Sequence, residues 1–230
     1  MNMRLILNVF FFGLFVSFGI SSSCFAVNIP LHSLDNWAAM VTPKTQVTTN
    51  YRVQDQIIHI ESRGSHSGLT WKETINVHET NHLSFSWKVS GVIPSADITK
   101  KASDDAPIRV LILFTEDDDR KSWFRRQLDK VFLMVYGKLP YDYSLAYVWA
   151  NRPHEGDYIE GAYSHKLRTV PLDMGSRYVG QWRDHTVNIY DDFKRIYGAE
   201  PSKTATLGLL SDTDNTKGRI LSGIRAIQLY

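Results

Sequence analysis

Leu83, Phe85, Trp87 and Val89 alternate strictly with Ser84, Ser86, Lys88 and Ser90. A repeat of two places the apolar side chains on one face of a strand and the polar ones on the other. Weaker forms of the same alternation run through Gln46–Val53, Ile57–Ser62 and Leu69–Val77. Arg109–Phe114 (RVLILF) and Leu145–Ala150 (LAYVWA) are instead almost continuously apolar, which predicts central strands covered on both faces. Lys166–Leu172, Tyr178–His185, Ala205–Ser211 and Arg219–Leu229 complete a set of about ten expected strands.

Two stretches change period. Phe124, Leu128, Val131, Phe132 and Val135 recur at helical spacing behind Asp117-Asp118-Asp119, and Gly137 and Pro140 end the run. That spacing predicts a helix near 118–136. A second helix is expected near 189–197, where Ile189, Phe193, Ile196 and Tyr197 form the apolar stripe. Asn188 is placed to cap it, Asp191-Asp192 suit its first turn, and Gly198 and Pro201 terminate it. Many strands with two inserted helices predict a mainly β fold. The expected architecture is a two-sheet β-sandwich of the jelly-roll or galactose-binding-like kind.

The N-terminus carries a different pattern. Arg4 precedes an uncharged apolar run from Leu5 to Ile20, followed by small polar residues and Cys24-Phe25-Ala26 before Val27. Residues 1–26 therefore read as an export signal, with one β-sandwich domain over 27–230 and a periplasmic or secreted destination. An uncleaved anchor is the competing reading, but the run is shorter than the ~20 residues of a spanning helix and no basic cluster follows it. No transmembrane helix is expected after cleavage. Lipidation at Cys24 is a further alternative, although Ser21-Ser22-Ser23 lack the apolar residue expected three positions upstream. Cleavage at Ala26 removes the only cysteine, which excludes internal disulfides and thiolate chemistry. A formal net charge of +2 without a lysine-rich tract gives no nucleic-acid footprint. Aromatic residues make up 12%, with six tryptophans, a content that suits a packed β domain or a sugar-binding face.

Two motifs imitate catalytic ones. His78-Glu79-Thr80-Asn81-His82 has the letters of H-E-x-x-H, which binds zinc only on a helix, where residues four apart share a face. Here period-two segments flank it on both sides, so the five residues read as a hairpin connection with Asn81 in the turn. Gly64-Ser65-His66-Ser67-Gly68 resembles a nucleophile elbow, but histidine holds the centre and a strand follows, so a glycine-rich turn is expected. No phosphate-binding glycine loop occurs, and neither a metal nor a cofactor is expected.

The remaining polar blocks sit at strand ends. Asp97, Asp104 and Asp105 precede the strand opened by Arg109. Trp149, Asn151 and Arg152 close another, and Asp212, Asp214 and Asn215 close a third. Brought to one rim, Asp105, Arg109, Trp149, Asn151, Asp212, Asp214 and Asn215 would form a ligand site. The indole would stack on a pyranose and the planar polar groups would take its hydroxyls. The alternative is that these residues pair with one another and cap loop backbones. The loop LLSDTDNTKG, residues 209–218, is no EF-hand, since counting from Asp212 its sixth and twelfth positions hold Lys217 and Gly223. A less regular Ca²⁺ site on the oxygens of Asp212, Asp214 and Asn215 is the second reading, behind a polar recognition or structural cluster. Strand alternation places Asp212 and Asp214 on one side near Asp105 and Arg109, and leaves Asn215 to organise the turn. The expected function is non-catalytic binding of a glycan or other small polar ligand. The alternative is a polysaccharide hydrolase or lyase using paired carboxylates, Asp105 with Asp212 or Asp214.

The blocks SGLTWKETI, LSFSWKVSG, ADITKKASDDAPIRVLILF, LAYVWANR, GQWRDHTVNIYDDFKRIYGAEP and LLSDTDNT occur in order along the chain. From about Trp37 to the C-terminus this arrangement resembles the bacterial family catalogued as domain of unknown function 3047. DDAPIRV, YVWANR and SDTDNT carry most of the likeness. The resemblance implies an exported bacterial protein without an assigned activity, and it supplies no catalytic residue.

Overall fold

The alternating and the continuously apolar segments sort into two sheets that share one core. The computed structural model describes residues 26–41, 45–117, 119–124, 126–127 and 141–230. Its strands are β1 (Val27–Asn28), β2 (Trp37–Met40), β3 (Asn50–Gln54), β4 (Ile57–Arg63), β5 (His66–Asn76), β6 (His82–Val89) and β7 (Ala106–Phe114). They continue with β8 (Tyr143–Ala150), β9 (Ile159–Glu160), β10 (Leu167–Met174), β11 (Arg183–Asn188), β12 (Thr204–Asp212) and β13 (Arg219–Leu229), with helix α1 (Ile189–Tyr197) between β11 and β12. One sheet has the order β11-β6-β13-β4-β3, with β1 added to β13; the other has the order β2-β5-β12-β7-β8-β10-β9. Neighbours are antiparallel except β8 and β10, which run parallel. No helix among the described residues is long and apolar enough to cross a membrane.

Strand parity builds the core. Val110, Ile112, Leu145, Tyr147, Trp149, Leu207 and Leu209 of the seven-stranded sheet face Ile58, Ile60, Phe85, Trp87 and Ile224 of the other. Trp87 and Trp149 meet across the layers at 6.2 Å between ring centroids. Helix α1 closes one end of this core by burying Ile189, Phe193 and Ile196, with Phe193 edge-on to Phe114 at 4.6 Å. Its signals are those read from sequence. The Asn188 side chain accepts from the Asp191 N–H at 3.0 Å, and Gly198 takes the left-handed conformation (φ 66°) that ends the helix.

Some expectations are corrected, and others fall outside the described residues. The helix at 118–136 falls largely on residues 118, 125 and 128–140, which lie outside the described residues, and among the described residues α1 is the one complete α-helix. The His78–His82 segment is no hairpin turn, because β5 and β6 lie in different sheets and the connection crosses between them. Period-two flanks cannot distinguish the two geometries, since the alternation records burial and not pairing partner. Residues 178–182 form turns ahead of β11 and not a strand from Tyr178. The short edge strands β1, β2 and β9 carry too few residues for a period to register. Residues 1–25, the bulk of the expected signal, lie outside the described residues.

Gly68 marks a tight approach in the seven-stranded sheet. A Cβ there would sit 2.4 Å from the Leu209 carbonyl oxygen and 2.4 Å from Met40 Cε. Gly68→Ala is expected to cost about 1–3 kcal/mol, because the first of these atoms is backbone and cannot turn aside. A urea-unfolding midpoint equal to that of the unmodified protein would show that the sheet yields at this point.

Candidate functional site

The chain changes sheets twice at one corner, from β4 to β5 through Gly64-Ser65 and from β12 to β13 through residues 213–218. Hydroxyls lock this corner. Thr213 Oγ1 lies 2.9 Å from Ser62 Oγ and accepts from the Ser65 N–H at 3.2 Å, while Thr49 Oγ1 donates to the Ser211 carbonyl at 2.9 Å. The first residue of β5 and the last of β12 are thereby held in register, His66 directly opposite Asp212. On the other side of β12 the register slips. Leu210 pairs with Arg109 but Asp212 with Ala106, so β7 carries a bulge here.

The bulge seats Arg109 against the Asp212 side chain. Arg109 is 3% exposed; its Nη2 donates to Asp104 Oδ1 at 2.7 Å and its Nε to Asp212 Oδ1 at 3.4 Å. Asp212 Oδ1 also accepts the Ala106 N–H at 3.0 Å. Its Oδ2 points the other way, 3.8 Å from His66 Nδ1, and Asp214 Oδ1 lies 3.7 Å from the same nitrogen. Burial pushes the Asp212 carboxyl up, but the Arg109 charge and His66 outweigh it and hold the carboxyl below the usual range. The His66 imidazole is raised, first by its polar contact with Asp212.

This cluster is one end of a groove of about 460 Å³ on the outer face of the seven-stranded sheet. The floor is aliphatic: Leu111 and Leu113 of β7, Leu210 of β12, Ala146 of β8, Met40 of β2 and Leu167 of β10. Tyr163 stands at the rim, 55% exposed, its hydroxyl donating to the Lys101 carbonyl at 2.6 Å.

Of the residues singled out from sequence, Arg109, Asp212, Asp214 and Asn215 line this groove. Three others serve the framework. Trp149 is fully buried between the sheets with its indole N–H on the Gly175 carbonyl at 3.0 Å, so it offers no face to a ligand. Asn151 ties two loops, accepting from the Ile93 N–H and donating to the Asp105 carbonyl, both at 2.7 Å. Asp105 is fully buried and turned onto the 215–216 loop, accepting the Asn215 N–H at 3.2 Å and the Thr216 N–H at 2.7 Å. Burial raises the Asp105 carboxyl, against those hydrogen bonds. Asp105, one member of the expected carboxylate pair, thus faces a loop and not the groove, and Arg109 holds the Asp212 carboxyl below its usual range. Sequence reading passed over His66 as a turn residue, and it passed over Tyr163 and the aliphatic floor. The isolated histidine at the start of a strand was the one available signal.

The imitation zinc motif stays apart from this site. His78 Nε2 lies 3.2 Å from the Pro201 carbonyl, whereas His82 stacks on Tyr230 at 5.4 Å. Among the described residues, the histidine and carboxylates that converge are His66, Asp212 and Asp214, with one ligand atom from each within 4.8 Å of the others.

The family model described as "Protein of unknown function (DUF3047)" matches residues 35–228. No curated protein matches the chain. Among solved structures, the chain is similar to the xyloglucanase domain of NopAA, a type three effector from Sinorhizobium fredii, in complex with cellobiose. The TM-score is 0.44 at 9% identity, over 85% of this chain and 94% of that one. It is also similar to the family 11 carbohydrate-binding module of the cellulosomal cellulase Lic26A-Cel5E of Clostridium thermocellum, with a TM-score of 0.41 at 9% identity over 88% and 94% of the two chains. For the native family 12 xyloglucanase from Bacillus licheniformis the values are 0.43 at 7% identity, over 90% and 99%. Likenesses this remote carry no argument about ligand or activity, which rest on the groove itself.

Proposed function

We propose that this chain, which belongs to the DUF3047 family of proteins of unknown function, is an exported binding protein that holds a glycan or other small polar ligand on a jelly-roll-like sandwich. The observation that carries the reading is the outer-face groove, with its aliphatic floor and one ionic end. A cleft of a few hundred Å³, mostly apolar with a few convergent polar groups, is the usual form of a small-molecule site. The C–H face of a sugar ring lies on Leu111, Leu113 and Leu210, while Asp214 and Asn215 take hydroxyls and Tyr163 offers an exposed ring at the rim. Binding is favoured over hydrolysis because Asp105, one of the expected carboxylate pair, is turned onto the 215–216 loop and not into the groove.

A glycan array, followed by calorimetry on the hits, tests this. Leu210→Trp fills the floor and is expected to weaken a retained oligosaccharide at least tenfold, at an unchanged melting temperature. Retention of no saccharide at millimolar concentration, or binding indifferent to Leu210→Trp, would remove the reading. Release of reducing sugar by the purified protein would replace it with the hydrolase alternative.

A further inference from the structure

We infer that His66, Asp212 and Asp214 form a binding site for one divalent transition-metal ion of the zinc class at the ionic end of the groove. Three residues supply one ligand atom each, His66 Nδ1, Asp212 Oδ2 and Asp214 Oδ1. Ligands about 2.0–2.2 Å from a zinc ion lie roughly 3–4 Å from one another. The observed separations of 3.7 and 3.8 Å from the imidazole nitrogen to the two carboxylates are of that size. They are too long for the hydrogen bonds that a direct ion pair would make.

A second observation concerns Asp212 alone. Its side chain is only 6% exposed, and both hydrogen bonds it accepts fall on Oδ1, from Arg109 Nε and the Ala106 N–H. Among the described residues Oδ2 accepts no hydrogen bond within 3.5 Å; its ion-pair partner is His66 Nδ1 at 3.8 Å, and the residue lines the groove. Oδ2 is aimed at the gap between His66 and Asp214. The two bonds on Oδ1 are what an outer shell does for a metal ligand: they fix the carboxylate plane and present one oxygen inward.

Charge agrees with this. Arg109 pairs with Asp104 and Asp212, and Asp214 is a third carboxylate lining the same groove end. Even with His66 charged, these three acids outnumber the two cations among the lining residues, an excess that a divalent cation would balance. The donor set selects the class. An imidazole nitrogen with two carboxylate oxygens suits Zn²⁺ and its neighbours, whereas Ca²⁺ takes oxygen ligands alone. His66, Asp212 and Asp214 all line the groove, so the remaining coordination positions open into it. If the groove holds a saccharide, as proposed above, those positions are where paired hydroxyls attach; this clause alone rests on that reading.

Calorimetry on the tag-free, chelator-treated protein with Zn²⁺ tests the site, with Co²⁺ as the spectroscopic probe. One Zn²⁺ per chain at micromolar affinity is expected, with Ca²⁺ much weaker. The Co²⁺ form is expected to show visible absorption that His66→Gln abolishes. Loss of an outer-shell partner already costs about 10–100-fold in affinity. Asp214→Asn replaces an anionic ligand with a neutral amide on a side chain 43% exposed, where the fold tolerates it, and is expected to weaken Zn²⁺ at least that much. The double variant His78→Ala, His82→Ala is expected to bind as the unmodified protein does. No isotherm with Zn²⁺ or Co²⁺ at millimolar concentration would overturn the inference, as would binding unaffected by both Asp214→Asn and His66→Gln. The two readings separate cleanly. A metal isotherm without any retained saccharide keeps this site and removes the glycan. A saccharide held equally with and without chelator, and no metal isotherm, does the reverse.

Discussion

Arg109→Leu is expected to lower the free energy of unfolding by about 3–5 kcal/mol, the cost of stranding buried charge. The guanidinium is 3% exposed and spans two carboxylates, Asp104 at 2.7 Å and Asp212 at 3.4 Å, which are themselves 7% and 4% exposed. It also donates to the Asp104 carbonyl at 3.2 Å, so a loop oxygen loses its partner as well. Leucine fills much of the volume but leaves two carboxylates in a low-dielectric setting, Asp104 without its guanidinium and Asp212 with only His66 at 3.8 Å. Arg109→Lys is expected to recover only part of the loss, because an ammonium is a point charge and cannot reproduce the fork that joins both acids. Urea unfolding checks both variants. A loss below 1 kcal/mol for Arg109→Leu would mean that the carboxylates reach water or one another's protons easily, and that the cluster is far less rigid than described.

Asp173→Ala is expected to have a comparable effect, about 3–5 kcal/mol, for a related reason at the other face of the seven-stranded sheet. Asp173 of β10 reaches across the sandwich and is 4% exposed. Its carboxylate accepts the Trp87 indole N–H at 2.7 Å, His185 Nε2 at 2.7 Å and Arg183 Nε at 3.1 Å. Removing it strands the indole N–H of a fully buried tryptophan and unpairs Arg183. Burial pushes this carboxyl up, but the hydrogen bonds from His185 and Trp87 more than offset it, and the net shift is downward. A carboxyl depressed in the folded state contributes stability that is present above its unfolded value, about 3.9, and is lost as pH falls through the folded value. The acid limb of the stability curve below about pH 4 is therefore expected to be shallower in Asp173→Asn than in the unmodified protein. An acid limb of unchanged slope would show that this carboxyl is not a source of it.

Sequence alone determined most of the longer strands, where helix α1 begins and ends, and that the polar blocks lie at strand ends. Leu83–Val89 reads as a strand because alternation is a local consequence of pleating, and Asn188 and Gly198 read as caps because unsatisfied helix termini are local too. Pairing was not legible. β5 and β6 are neighbours in sequence yet lie in opposite sheets, and the same alternation serves either arrangement. The facing of β8 was hidden for a related reason. Leu145–Ala150 is apolar on both sides, so nothing marked Trp149 as pointing into the core while Ala146 points into the groove. The candidate site was the least visible part. Asp212 acquires its surroundings from His66 on one neighbouring strand and from Arg109 on the other, through a bulge that the pairing of β7 with β12 creates. Strand periodicity reports which face a residue occupies. Register between strands distant in sequence is set only when the whole sandwich packs, and that packing brought an unremarkable turn histidine to the two aspartates.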